Sequence, residues 1–330
     1  MKRVGIVGCG TMGTTHAQAW RSTDAELVGF FDVDPEAGQR AAERFGVAAF
    51  CDQDALHQAV DIVDVCTPTY THREVVIAAV QAGRHVICEK PMSLSVEHCA
   101  DMIRGARDNN VRLFIAQVVR FFPEYAAAKQ LIDDGAIGKL GVIRLTRGGT
   151  HPAEGPRGWF AEEYRSGGVV LDLMVHDLDY ARWLGGDVER VFCQRHLGPA
   201  ADYALVTLRF RNGAMGHVEG SWAYPSGFRT GFDIAGDDGL ITHNSEESVP
   251  LTIRYRDSGQ GAGRVTVPSS PLFPEDSPYA LELQHFVHCI ETGEEPLVTP
   301  MDAMAAVQAA TAARESALLG RPVVLQPLAI

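Results

Sequence analysis

Short apolar runs alternate with helical patterns along the first 120 residues. The runs lie at 4–7, 27–31, 48–50, 62–66, 86–88 and 113–116. Between them, residues 12–21, 36–45, 72–82 and 95–109 repeat apolar positions at the spacing of one helix face. Such alternation requires parallel pairing with right-handed crossovers, so it predicts a doubly wound α/β sheet. The central strands of such a sheet are covered on both faces and read as continuous apolar runs, as these do.

The pattern changes after a helical segment at 123–134. Alternating apolar and polar positions follow at 142–147, 203–210, 215–222, 232–235, 251–255 and 265–267. Turn residues separate them, among them Arg211-Asn212-Gly213 and Gly236-Asp237-Asp238-Gly239. This predicts an α+β domain on a large, open, mainly antiparallel sheet. One helix, 169–184, interrupts it and stops at Gly185-Gly186, and helical patterns return at 279–292 and 302–319. The expected domains are 1–120, for cofactor binding, and 121–330, for substrate binding and oligomerisation. An exposed sheet face needs covering, and Val206, Leu208, Phe210, Val218 and Trp222 are expected to supply the contact of a homodimer or homotetramer.

Composition narrows the partners. The chain has 330 residues, 46% hydrophobic and 22% charged, with a formal charge of −13. That charge argues against nucleic acid or an anionic membrane as the main partner. The seven cysteines form no Cys-x-x-Cys pair, so they read as free thiols of a reducing cytosol. No apolar stretch is long enough to span a bilayer and the N-terminal residues lack a signal-peptide pattern, so a cytoplasmic protein is expected. The twelve histidines show no His-Glu-x-x-His spacing, and no metal is expected.

Gly8-Cys9-Gly10-Thr11-Met12-Gly13 follows the first strand and opens a helix. The first glycine permits a tight turn, the second lets backbone approach a pyrophosphate, and the third lets helix and strand pack closely. The helix N-terminus then offers free N–H groups to phosphate. Asp32 ends the next strand, nineteen residues beyond Gly13, where a carboxylate accepts from an adenosine ribose. With Asp32-Val33-Asp34-Pro35 and no arginine following, it favours NAD over NADP. Cys66-Thr67-Pro68-Thr69 ends the fourth strand, with His72 on the next helical turn either as a cofactor contact or as a helix-start residue.

Glu89-Lys90-Pro91 closes the fifth run. A lysine at the carboxyl end of a strand points toward the cofactor crevice and offers three donors. Asp172 and His176 are four residues apart, which on a helix puts them on one face. Histidine titrates near neutrality and suits a general base, while an Asp–His pair on a helix also fits a solvated surface. Gly167-Gly168 before this helix allows close approach of backbone or ligand.

These segments together resemble the glucose-fructose oxidoreductase / inositol dehydrogenase (Gfo/Idh/MocA) family. The fingerprint with Asp32, Cys66-Thr67-Pro68-Thr69 with His72, Glu89-Lys90-Pro91, and the run from Gly167 to Asp179 carry the resemblance, as does Glu282-Leu283-Gln284-His285-Phe286. It implies a Rossmann domain followed by a domain built on a large open antiparallel sheet. It implies Lys90, Asp172 and His176 as the catalytic trio. Gly8, Gly10, Thr11, Met12, Gly13, Asp32, Thr67, Pro68, His72, Glu89 and Lys90 are the expected cofactor residues. The implied reaction is NAD-dependent hydride transfer at a secondary alcohol of a sugar, sugar acid or inositol, with His176 as acid/base and Lys90 polarising the reacting oxygen. Arg120, His151, Arg157 and Trp159 are candidates for either substrate contact or packing. Two other functions stay open: a redox-neutral hydrolase or lyase that oxidises and re-reduces its substrate, and a dinucleotide-sensing regulator.

Overall fold

The computed structural model describes residues 1–151, 158–198, 201–224, 226–247, 252–255, 265–266 and 277–330. Contacts divide the chain into two compact units. One comprises Met1–Phe121 with the described part of Pro271–Met304 and Ile330. The other comprises the described parts of Phe122–Ser270 and Ala305–Ala329.

The chain begins β1 (Arg3–Val7), α1 (Thr11–Trp20), β2 (Glu26–Phe31), α2 (Pro35–Phe45), β3 (Ala48–Ala49), α3 (Gln53–Ala59), β4 (Ile62–Val65), α4 (His72–Gln81), β5 (His85–Glu89), α5 (Val96–Asp108) and β6 (Leu113–Ala116). The six strands form one parallel sheet in the order β3-β2-β1-β4-β5-β6. The order reverses between β1 and β4, the topological switch point at which such sheets bind ligands. Local chemistry sets the helix starts. Asp34 caps α2 by accepting from the Glu36 N–H, with Pro35 pre-set for the first helical position. Asp52 and Ser95 cap α3 and α5 in the same manner, accepting from the Ala55 and His98 N–H groups.

The chain continues with α6 (Pro123–Asp133), β7 (Leu140–Gly149), α7 (Glu163–Ser166) and α8 (Val175–Gly185). Then follow β8 (Val188–Gly198), β9 (Ala201–Phe210), β10 (Met215–Trp222), β11 (Phe228–Gly236), β12 (Gly239–Asn244), β13 (Thr252–Tyr255) and β14 (Val265–Thr266). It ends with α9 (Pro278–Thr292), α10 (Pro300–Leu319) and β15 (Val323–Val324). A nine-stranded sheet results, ordered β14-β13-β12-β11-β7-β10-β9-β8-β15, with β7 and β10 parallel and the other neighbours antiparallel.

Two expectations need correction. The second domain was expected to run unbroken to residue 330, but α9 belongs to the first unit. Its Leu283, Phe286 and Val287 join Trp20, Phe30, Ile87 and Phe114 in one buried cluster, with Phe114 and Phe286 stacked at 4.9 Å. The proposed oligomer face also differs. Val206, Leu208, Phe210, Val218 and Trp222 are buried within the single chain. They occupy the inner side of β9 and β10, where Gly220 and Gly185 let Met174 and Phe210 approach closely. Thr207, Arg209 and the half-buried Tyr203 and Leu205 stand on the other side of β9. Among the described residues, no helix is long and apolar enough to cross a membrane.

Candidate active site

The glycine turn has the shape that a dinucleotide phosphate requires. Gly8 has φ +100°, and a Cβ there would stand 2.6 Å from the Cys66 carbonyl oxygen. A Cβ on Gly13 would meet the Gly8 carbonyl oxygen at 1.9 Å, so helix and strand touch through backbone alone. Gly10, by contrast, faces open space within 4 Å, beside the first turn of α1, where Thr11 and Met12 sit. That is a cradle a side chain would fill and a pyrophosphate fits. Asp32 is buried at the end of β2. Its carboxylate accepts from the Cys9 and Asp34 N–H groups, at 2.8 and 2.9 Å, and so is held beside the glycine turn.

The loops after β4 and β5 are tied to each other. His72 is buried, with Nδ1 2.9 Å from the Pro91 carbonyl and Nε2 2.9 Å from the Thr67 carbonyl. Burial pulls its pKa below the ordinary value, against the raising pull of those carbonyls. His72 is the helix-start residue of α4, and its ring lies between the Thr67-Pro68 and Lys90-Pro91 segments. The Lys90–Pro91 peptide is cis. The Glu89 carboxylate is buried between α1 and the Lys90 backbone. Its Oε2 accepts the Lys90 N–H at 2.9 Å, and its Oε1 lies 3.0 Å from His16 Nε2.

Sequence reasoning did not single out the group beneath this loop. His16 on α1 has no solvent exposure, and its Nδ1 lies 3.0 Å from Asp64 Oδ2. Trp20 donates its indole N–H to the same oxygen at 2.7 Å. The Cys66 thiol lies 3.5 Å from both His16 Nδ1 and Asp64 Oδ1. Desolvation alone would lower the His16 pKa, but the Asp64 charge and hydrogen bond reverse this and hold it well above its ordinary value. Burial and the neighbouring Asp64 carboxylate push the Cys66 thiol far up, so it is not a nucleophile. The signal was present: Asp64 is a charge inside the apolar run of β4, and a buried charge needs a partner.

The second unit shapes Asp172 and His176 differently from the single α-helix expected. Val169–Leu173 forms a π-helical turn closed by the Met174 N–H donating to the Val169 carbonyl at 2.9 Å, and α8 starts only at Val175. Asp172 thus lies in the π turn and His176 in the first turn of α8, so α-helical i,i+4 spacing does not describe the pair. The cause is upstream. Gly167 and Gly168 have φ +82° and +69°, and Asp202 Oδ2 accepts the Val169 N–H at 2.9 Å. Arg195 grips that carboxylate through Nε and Nη2, both at 2.7 Å, and extends Nη1 to Glu163 at 2.6 Å. Downstream, Arg147 holds the adjacent Asp177 in a buried fork at 2.7 and 3.1 Å. Burial pushes the Asp177 carboxyl up, and Arg147 opposes this. Asp172 is buried and His176 half-buried.

The four low-information candidates fare unequally. Arg120 is 2% exposed and donates to the Leu297 carbonyl at 2.8 Å, beside Asp302, within the first unit. His151 sits edge-on to Trp222 with ring centroids 6.2 Å apart, and Trp159 stacks on Phe160 at 3.8 Å. Arg157 lies outside the described residues.

Residues 2–117 match the Gfo/Idh/MocA model described as an oxidoreductase family with an NAD-binding Rossmann fold, and residues 125–242 match its C-terminal domain. A myo-inositol 2-dehydrogenase of Thermotoga maritima is 33% identical, over 95% of this chain and 96% of its own. A solved levoglucosan dehydrogenase in complex with NADH and levoglucosan superposes with a TM-score of 0.90 at 27% identity, covering 98% of this chain and 99% of that one. A 2,7-anhydro-N-acetylneuraminate hydratase of Escherichia coli is 30% identical over 68% of this chain and 63% of its own. The chain belongs to the Gfo/Idh/MocA oxidoreductase family, and its first unit is an NAD-binding Rossmann domain.

Proposed function

We propose that the protein is an NAD-dependent dehydrogenase acting on a secondary alcohol of a sugar, sugar acid or inositol. The catalytic residues are Lys90, Asp172 and His176. The observation that carries this reading is the placement of Lys90. It follows the carboxyl end of β5, in a loop stapled through His72 to the loop after β4 and through Glu89 to the core. The inositol and levoglucosan dehydrogenases among its relatives support the substrate class.

When bound, NAD supplies the hydride acceptor, and Gly8, Gly10, Gly13, Asp32 and the Thr67-Pro68 turn would hold it. This chain's residues manage the proton and the developing charge. His176 takes the hydroxyl proton during oxidation and returns it during reduction. The Lys90 ammonium hydrogen-bonds the reacting oxygen and stabilises its negative charge. Asp172 binds a neighbouring hydroxyl or orients its partners. The first unit serves the cofactor and the second the substrate. A homodimer or homotetramer through the outer side of the C-terminal sheet completes the proposal, and sedimentation at micromolar concentration tests it.

The function is tested by following NADH at 340 nm with NAD⁺, or NADP⁺ in parallel, and a panel of inositols, aldoses, sugar acids and levoglucosan. A substrate-dependent rise is expected with NAD⁺. A second reading rests on the likeness to the hydratase: the same trio serving a redox-neutral cycle. Substrate turnover without net NADH would establish that cycle in place of the dehydrogenase.

A further inference from the structure

We propose that His16 is a positioning residue, an imidazolium at neutral pH that bridges Asp64 and Glu89 and thereby fixes the loop carrying Lys90. This rests on the reading that Lys90 acts on substrate. The geometry joins three chain segments that each end at the site. His16 lies on α1, whose first turn follows the glycine turn. Asp64 lies on β4, which leads to Cys66-Thr67-Pro68. Glu89 ends β5 and directly precedes Lys90. The ring stands 3.0 Å from a carboxylate oxygen on either side. Toward Asp64 the contact is a hydrogen bond, and toward Glu89 it is an ion pair too bent to count as one.

Charge arithmetic favours a proton on the ring. Two carboxylates flank a ring with no solvent exposure, and Asp64 has none either. A neutral imidazole has one N–H, so one of its nitrogens would then turn a lone pair on a carboxylate. An imidazolium donates to Asp64 and sets its second, positively charged N–H against Glu89. Among the described residues, the groups in contact with the ring carry no other positive charge. From its own helix comes Trp20, from β4 and its end Asp64 and Cys66, from β5 Glu89, and from α9 the Tyr279 ring at 6.2 Å. Glu89 is the relay, since one oxygen faces His16 and the other accepts the Lys90 backbone N–H. The donor atoms of His16, Asp64 and Cys66 also fall within 4.8 Å of one another, so a metal is the rival occupant of the same position.

Three measurements test the proposal. In wild-type protein labelled with ¹⁵N-histidine, both His16 nitrogens are expected to remain protonated from pH 6 to pH 8.5; a neutral ring at pH 7.5 overturns the proposal. Metal analysis is expected to find no stoichiometric metal, and one zinc per chain overturns it. In turnover assays, His16→Gln is expected to lose about ten- to a hundredfold in kcat with an altered pH profile, the span of a charge-assisted hydrogen bond. Adding Glu89→Gln removes the uncompensated carboxylate, so the double variant is expected to recover several-fold over His16→Gln alone. Unchanged kcat in His16→Gln, or no recovery in the double variant, rejects the positioning role. Lys90→Ala separates the two readings: if it retains wild-type turnover, the catalytic assignment falls, while the proton on His16 is still decided by the spectra.

Discussion

The two units hold their candidate catalytic residues with different kinds of charge. Beneath Lys90 a histidine is buried between two carboxylates. Around Asp172 and His176 the cations are guanidinium groups: Arg195 on Asp202 before the π turn, and Arg147 on Asp177 after His176. Arginine stays charged at any pH a protein survives, whereas histidine does not. The second unit therefore has an anchor that base does not discharge, and the first has one that a base can dismantle.

The comparison breaks most sharply at His176. His176→Ala is expected to reduce turnover by about 10²- to 10⁴-fold, as loss of a general acid/base does, while NADH binding by fluorescence stays at the wild-type level. Turnover within threefold of wild type would remove His176 from the chemistry. Next comes the guanidinium anchor. Asp202→Ala strands Arg195 and frees the Val169 N–H, so it should cost about 3 kcal/mol in urea unfolding and slow turnover without moving the pH profile. A shifted profile would show that this anchor also acts on a titrating group.

Gly168→Ala probes the same anchor more gently. It forces an alanine to φ +69° and sets its Cβ 2.5 Å from the Arg195 Nη2. A loss of about 1–3 kcal/mol is expected, and a stability equal to wild type would mean that the turn relaxes freely. The smallest effect is in the first unit. The His16 pKa is raised on folding, so its stabilisation is complete below the unfolded value of 6.5 and fades as pH rises through the higher folded value. The melting temperature should fall on the alkaline side, and Asp64→Asn should move that fall to lower pH. Identical alkaline curves for the two proteins would deny Asp64 its part.

Much of the fold was legible because the core strands carry their own signature. The runs at 62–66 and 113–116 became β4 and β6 with shifts of one residue at most. Weaker patterns were not read. The seven-residue α3 turns only Leu56 and His57 inward, too little to register as periodicity. β8 mixes charges with apolar residues, and β15 has two residues. In the site, glycines and the Lys90 loop were visible because their chemistry is local. The π turn was not, since a distant Asp202 imposes it on a sequence that otherwise reads as plain helix. The surroundings of Arg120 were not legible for the opposite reason: Leu297 and Asp302, to which it donates at 2.8 and 3.5 Å, lie some 180 positions away.

The return of α9 to the first unit has a consequence for synthesis. A ribosome releases the six strands of the parallel sheet early, with Trp20, Phe30 and Phe114 still lacking the side chains that cover them. Those side chains, Leu283, Phe286 and Val287, emerge roughly 170 residues after β6, on the order of ten to thirty seconds later at ordinary elongation rates. During that interval the nascent nucleotide-binding unit presents an aromatic patch to solvent or to a chaperone. A fragment ending at residue 121 would carry that exposure permanently.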